Sequence, residues 1–231
     1  FYPYASRADG SYPIHHGVEF VNPMGTPILA TAPGKVIVAG DDALTVYGAR
    51  NNFYGLLVVQ ELEQRLDGQP VYVLYGHLSE IAVVVGQSVQ TGDLIGKVGM
   101  SGVAEGPHLH LEVRIGQNDY GATVNPELWL KPKAGTGALA GLVVGPDGLP
   151  VPNELRVTLA RASAPDVAVY TLVTYPTVSV NASPVWRENV AIGGLAEGQW
   201  IARVMHGGRL YAQPIEIAEG KTSWFLMSLA Q

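Results

Sequence analysis

The chain has 231 residues, with 14 basic and 20 acidic side chains and no cysteine. A net charge of −6 without any Lys/Arg-rich run excludes a general nucleic-acid binder, and the lack of cysteine excludes a disulfide framework, a thiolate metal site and a cysteine nucleophile. No apolar run approaches the roughly 20 residues of a membrane-spanning helix. The length suffices for one large domain or two ordinary ones, and the 28 glycines and 16 prolines fall between short Val/Ile/Leu/Tyr-rich runs, the pattern of an all-β protein with many turns. Lack of cysteine leaves the compartment open. A start at Phe1, without an initiator Met or a basic-then-apolar leader, reads as a mature or trimmed fragment.

In chain order, residues 1–12 mix Gly, Pro, Ser and Asp with aromatics and read as irregular. The run Ile14-His15-His16-Gly17-Val18-Glu19-Phe20, if extended, puts His15, Gly17 and Glu19 on one face and His16, Val18 and Phe20 on the other. A turn at 22–25 leads to a short strand over 26–30, a third strand covers 34–40, and 41–52 reads as a long loop. Strands over 54–62 and 70–75 flank Asp67-Gly68, a hairpin turn, and the second delivers His77 at its end. Residues 81–96 repeat short β runs broken by glycines and resemble the hammerhead of biotin and lipoyl carriers. Lys97 has neither Met-Lys-Met nor Asp-Lys-Ala around it, so the carrier reading is set aside.

The run Gly106-Pro107-His108-Leu109-His110-Leu111-Glu112-Val113 organises the rest: a β-strand with both imidazoles on one face. Residues 125–130 close this unit, and 131–137 (Lys-Pro-Lys-Ala-Gly-Thr-Gly) form the best linker candidate. Beyond it, a turn at Pro146-Asp147-Gly148 and about seven short strands in roughly ninety residues predict a β-sandwich. The expectation is two all-β domains, 1–133 and 138–231. The first carries 8 basic and 13 acidic side chains and the second 6 and 7, so neither is built for a polyanion.

Five of the six histidines lie in the first 110 residues. A catalytic zinc takes three protein ligands from His, Asp and Glu and leaves a fourth position to water, which then ionises near neutral pH while a nearby histidine moves protons. His15, Glu19 and one of His108 and His110 meet that ligand count; His77 and the other member of the pair remain for acid–base work. Glu112 shares the face of His110 and is either a partner to a ligand or a solvated strand residue. His16 is expected to face away from the metal and make a structural hydrogen bond. His206 is assigned to a surface turn, Glu61 and Glu63 to an exposed strand face, and the sequon Asn181-Ala182-Ser183 to chance.

Four motifs stand in order: His15-His16-Gly17-Val18-Glu19, Gly25-Thr26-Pro27-Ile28-Leu29-Ala30, Tyr75-Gly76-His77-Leu78-Ser79, and the run from Gly99 to Glu112 ending in Gly106-Pro107-His108-Leu109-His110. Over about residues 10–130 the chain resembles the M23 family of zinc metallopeptidases, the lysostaphin/LytM type. The resemblance implies an antiparallel β-sheet peptidase domain with Zn2+ bound by His15, Glu19 and His110. His77 and His108 would be the catalytic pair that orients and deprotonates water and stabilises the tetrahedral intermediate. It also implies a metalloendopeptidase acting on peptide cross-links of bacterial peptidoglycan, secreted or in the cell envelope. Tyr54 lines up with a family tyrosine that supports the oxyanion. The departure is Glu19, where the family has Asp, which places the carboxylate one methylene, ~1.5 Å, further out. The alternative is a degenerate, metal-free M23 domain that binds the wall or regulates another hydrolase; four retained imidazoles speak against it. More loosely, residues 138–231 resemble the transthyretin-like or carboxypeptidase-regulatory β-sandwich, carried by Gly141-x-Val143-x-Gly145-Pro146-Asp147-Gly148-x-Pro150-Val151-Pro152 and by Gly198-x-Trp200. No catalytic cluster is visible there, which leaves a spacer, a substrate- or wall-binding module, or a folding partner.

Overall fold

The computed structural model describes residues 2–7, 10, 12–152, 154–175 and 180–229. The chain forms two compact units, one of His16–Val124 and one of Phe1–His15 with Asn125–Gln231. Both are built almost wholly of strands, largely antiparallel.

The unit of residues 16–124 holds one nine-stranded sheet. Its strands are β1 (Val18–Val21), β2 (Pro27–Leu29), β3 (Gly34–Asp41), β4 (Leu56–Leu66), β5 (Gln69–Ile81), β6 (Ser88–Val89), β7 (Leu94–Val98), β8 (His108–Ile115) and β9 (Thr123–Val124). The main order is β1-β8-β5-β4-β3-β6; β7 pairs with β2 and β5, and β9 with β8. The expected hairpin is present. Asp67 and Gly68 both take positive φ (48° and 79°), the left-handed pair that a two-residue turn needs to match strand twist. β5 does not stop before His77, as the sequence suggests, but runs on to Ile81.

β8 alternates polar and apolar along its whole length, His-Leu-His-Leu-Glu-Val-Arg-Ile, yet its polar face is not solvated: His108, His110, Glu112 and Arg114 are all buried. It lies between β5 on one side and β1 and β9 on the other. A polar stripe in that position must satisfy its hydrogen bonds internally, since each buried polar group left unmatched costs about 1–3 kcal/mol.

The other unit carries β10 (Thr136–Val144), β11 (Arg156–Arg161), β12 (Ala168–Val173), β13 (Val190–Ala196), β14 (Gly198–His206), β15 (Arg209–Ile217) and β16 (Thr222–Ser228). They form a three-stranded sheet, β13-β10-β16, and a four-stranded sheet, β12-β11-β14-β15. One apolar cluster joins inward residues of both, Leu139, Val143, Ile192 and Phe225 from the first and Leu159, Leu172, Trp200 and Ile215 from the second, which makes the unit a β-sandwich. Burying each such side chain is worth about 1.5–3 kcal/mol, so this core, not the turns, sustains the unit. The 3-10 turn Pro126–Leu128 sits against β13, where Glu127 lies 3.3 Å from the position of a Cβ at Gly193. His206 precedes the Gly207-Gly208 turn between β14 and β15 and is exposed. Glu63 is exposed and Glu61 half-buried on β4, where Glu61 pairs with Arg65 at 2.7 Å.

Candidate active site

Two strand pairings bring the histidines together. In the β1–β8 register Glu19 lies directly opposite His110, and in the β5–β8 register Gly76 does. Gly17, two residues before Glu19, has to lack a side chain: a Cβ there would sit 2.6 Å from the Leu111 carbonyl oxygen and 2.7 Å from His110 Nε2.

His77 reaches the same place by an irregularity. Between the pairs Leu56↔Leu78 and Val58↔Tyr75, β5 carries one residue more than β4, a β-bulge at Gly76-His77. His77 takes φ 62°, and its N–H donates to the Tyr54 carbonyl at 3.0 Å. A bulge redirects a side chain that strict alternation would send elsewhere, and a left-handed non-glycine costs of order 1–3 kcal/mol, strain typical of functional sites.

Each imidazole is anchored through one nitrogen. His77 Nδ1 meets the Ser101 carbonyl at 2.8 Å, His108 Nδ1 meets the Gly106 carbonyl at 2.8 Å, and His110 Nε2 meets Glu112 Oε1 at 3.2 Å. Carbonyl and carboxylate oxygens only accept, so the anchored nitrogens carry the protons. The unprotonated nitrogens are then Nε2 of His77, Nε2 of His108 and Nδ1 of His110. Ser101 is clamped in turn, accepting from the Leu56 N–H at 2.9 Å and donating to the Leu78 carbonyl at 2.8 Å, the pair that flanks the bulge on one side. Its loop closes on residues 53–55 backbone to backbone: a Cβ at Gly102, itself at φ 72°, would lie 2.5 Å from Gly55 N.

Among the described residues, two sets of side chains offer ligand atoms within 4.8 Å of one another, His77–His108–His110 and His15–Glu19–His110. All four histidines are buried, and the His77 and His108 rings stand 4.8 Å apart. His108 Nε2 is buried, makes no hydrogen bond among the described residues, and lies 3.6 Å from Glu19 Oε1. Nitrogen and carboxylate donors with a bare buried imidazole nitrogen among them are the donor set from which zinc sites are made, so these residues fit a zinc ion. Burial, then the neighbouring His110, lowers the pKa of His77 to about 3, which keeps it a neutral proton acceptor at physiological pH.

Three residues support the cluster from behind. Glu112, fully buried, would be raised by burial, but Arg114, His110 and Tyr54 hold it down to about 2. Its Oε2 accepts from Arg114 Nε at 2.8 Å, and its Oε1 accepts from the Tyr54 hydroxyl. It is therefore no solvated strand residue. Tyr54 is also fully buried, and its hydroxyl is engaged by Glu112 and, at 3.2 Å, by Arg114 Nη2. The tyrosine thus belongs to the support, with its proton directed at Glu112. Asp42 holds the segment that carries it, taking the N–H groups of Phe53 and Tyr54 at 2.8 Å and of Gly55 at 3.0 Å. His16 turns to Thr123 Oγ1 at 2.8 Å and stacks on Tyr120, the structural role expected of it. Sequence reasoning missed Arg114 and Asp42. Alternation along β8 was the available signal for Arg114; Asp42 lies in a stretch with no periodicity to read.

Peptidase family M23 matches residues 13–126. Among curated proteins, lysostaphin from Staphylococcus staphylolyticus is 32% identical over 151 residues, 65% of this chain and 27% of that protein. The DD-carboxypeptidase/endopeptidase Mpg of Neisseria meningitidis is 36% identical over 113 residues, covering 49% of this chain and 22% of its own length. The peptidoglycan DD-endopeptidase ShyB of Vibrio cholerae is 34% identical over 102 residues, 44% and 20% respectively. The chain thus spans about a quarter of the length of the curated relatives it matches. With the motifs in order and the histidines converging on one buried spot, residues 13–126 are a peptidase family M23 domain.

Proposed function

We propose that this protein is a zinc metalloendopeptidase that hydrolyses peptide cross-links of bacterial peptidoglycan, outside the cytoplasm. The observation that carries the reading is the convergence of His77, His108 and His110 with Glu19 around the buried His108 Nε2, which makes no hydrogen bond among the described residues. Names such as peptidoglycan DD-endopeptidase among the relatives support the substrate class. His15, Glu19 and His110 would hold the zinc, His110 through the Nδ1 that its contact with Glu112 leaves unprotonated. Zinc, when bound, supplies Lewis acidity toward a peptide carbonyl and activation of water. His77 and His108, each held through Nδ1 by a backbone carbonyl, present Nε2 for taking a proton from the water and giving it to the leaving amine. In its protonated form either one also stabilises the developing oxyanion. The net negative charge and the lack of a basic run support a peptide substrate over a nucleic acid.

For residues 138–231 we assign a transthyretin-like, carboxypeptidase-regulatory type of sandwich, supported by seven strands in two sheets and by the turn at Asp147-Gly148. Zinc analysis combined with a cross-link digestion assay tests the enzyme reading. Near one zinc per chain, lost on His110→Ala, and turnover reduced by about 100-fold or more in His77→Ala with zinc retained, are the expected results. A zinc-free wild-type protein that binds peptidoglycan without cutting it would establish the degenerate reading that Glu19 favours.

A further inference from the structure

We infer that Arg114 is a positioning residue of the metal centre, acting through Glu112 to fix which nitrogen His110 presents. The inference rests on the zinc-site reading above. Along one face of β8 stand His108, His110, Glu112 and Arg114; the first two belong to the proposed chemistry, and the last two are fully buried behind it. A buried ion pair is costly to desolvate and repays that cost only when every donor and acceptor is matched.

Here they are matched in a directional way. Arg114 Nε donates to Glu112 Oε2 at 2.8 Å, and Nη2 stands in ion-pair contact with the same oxygen at 2.6 Å. Its remaining donors reach Asn118 Oδ1 at 2.9 Å, the Tyr47 carbonyl at 2.8 Å and the Tyr54 hydroxyl oxygen at 3.2 Å. The guanidinium is planar, so these acceptors, which lie on β8 and on the two loops 42–55 and 116–119, fix its plane and through it the plane of the carboxylate. Oε1 is thereby left between the Tyr54 hydroxyl and His110 Nε2.

The consequence is chemical. A neutral imidazole has two tautomers, and only the Nε2–H form leaves Nδ1 bare. A hydrogen bond to a charged acceptor biases the equilibrium toward that form by on the order of 10- to 100-fold. A carboxylate free to rotate loses the geometry that provides this bias. Arg114 therefore sets the tautomer of His110 without touching it, and the same fork ties Tyr54 and the Tyr47 loop to the metal ligand.

The test uses the full chain with labelled histidine. Ring 15N shifts of the zinc-free protein read the tautomer of His110 directly, and chelator competition reads zinc affinity. The double variant E112Q/R114M replaces the pair with neutral groups and avoids stranding one buried charge; R114K keeps the charge without the fork. The expected result is a single Nε2–H tautomer for His110 in the wild type and a mixture in the double variant, with zinc affinity down by about 10- to 100-fold and R114K in between. A wild-type His110 that carries its proton on Nδ1 overturns the inference without any variant. A folded double variant with native tautomer and native zinc affinity also overturns it. If the wild type takes up no zinc while the tautomer still depends on Arg114, the zinc reading fails and the positioning role stands.

Discussion

Glu19 is the residue on which the proposed zinc binding turns. It faces His110 across the β1–β8 ladder, and its carboxylate comes within 3.6 Å of His108 Nε2. One side chain thus stands between a proposed ligand, His110, and a proposed proton carrier, His108. Glu19→Asp withdraws the carboxylate by ~1.5 Å. Zinc affinity is expected to change by about tenfold, upward if the strand pair is set for the shorter residue. Glu19→Ala is expected to lose the metal. Isothermal titration of zinc into the three proteins checks both, and equal affinity in all three would remove Glu19 from the ligand set. The histidines were legible at this level because their spacing and motif order carry the chemistry. Arg114 was not, although it stands two residues past Glu112 on the same face: an arginine near the end of a strand reads as a solvent-facing charge until the strand is known to be covered on both faces.

The elements depend on close approach more than on propensity. Gly17 lets β1 pass beside His110, and Gly102 with Gly55 lets two loops meet backbone to backbone so that Ser101 can hold His77. Gly17→Ala is expected to push His110 from its place and cost zinc binding, while the sandwich unit keeps its native unfolding transition. Gly102→Val, which adds both a clash and a strained φ, is expected to lower turnover through His77 with zinc content near native. Metal analysis and kinetics on the two variants separate these outcomes, and normal zinc binding in Gly17→Ala would show that the strand pair can relax. The hairpin at Asp67-Gly68 was readable because turn chemistry is local. The bulge at Gly76-His77 was not, because its extra residue exists only relative to β4; an isolated glycine inside a strand pattern was the sole hint. The hold of Asp42 on three successive N–H groups was equally hidden, since a single aspartate in a loop gives no sign of what its carboxylate will accept.

The two units carry opposite responses to acid. In the sandwich unit, burial raises Glu127 and Glu188 to about 7 from an ordinary 4.5; Glu127 Oε2 makes no hydrogen bond among the described residues, and backbone N–H groups offset the shift at Glu188 only in part. Between pH 4.5 and 7 the unfolded chain has released these protons and the folded unit retains them, so the folded state binds more protons and loses stability as pH rises through that window. In the zinc-free peptidase unit, His77 is lowered from 6.5 to about 3, so between those values the unfolded chain binds the extra proton and stability falls as pH falls. Going from pH 8 to pH 5.5 is therefore expected to stabilise the sandwich by on the order of 2 kcal/mol per carboxyl and to weaken the peptidase unit. All four tryptophans, Trp129, Trp186, Trp200 and Trp224, lie in the sandwich unit, so tryptophan fluorescence in urea reports that unit alone while circular dichroism reports both. The fluorescence midpoint should rise by on the order of 1 M urea as the circular dichroism curve separates into two steps. Glu127→Gln together with Glu188→Gln should flatten the fluorescence response to pH. A fluorescence midpoint that falls on acidification would mean that these carboxyls are ionised in the folded unit and that hydrogen bonding there outweighs burial.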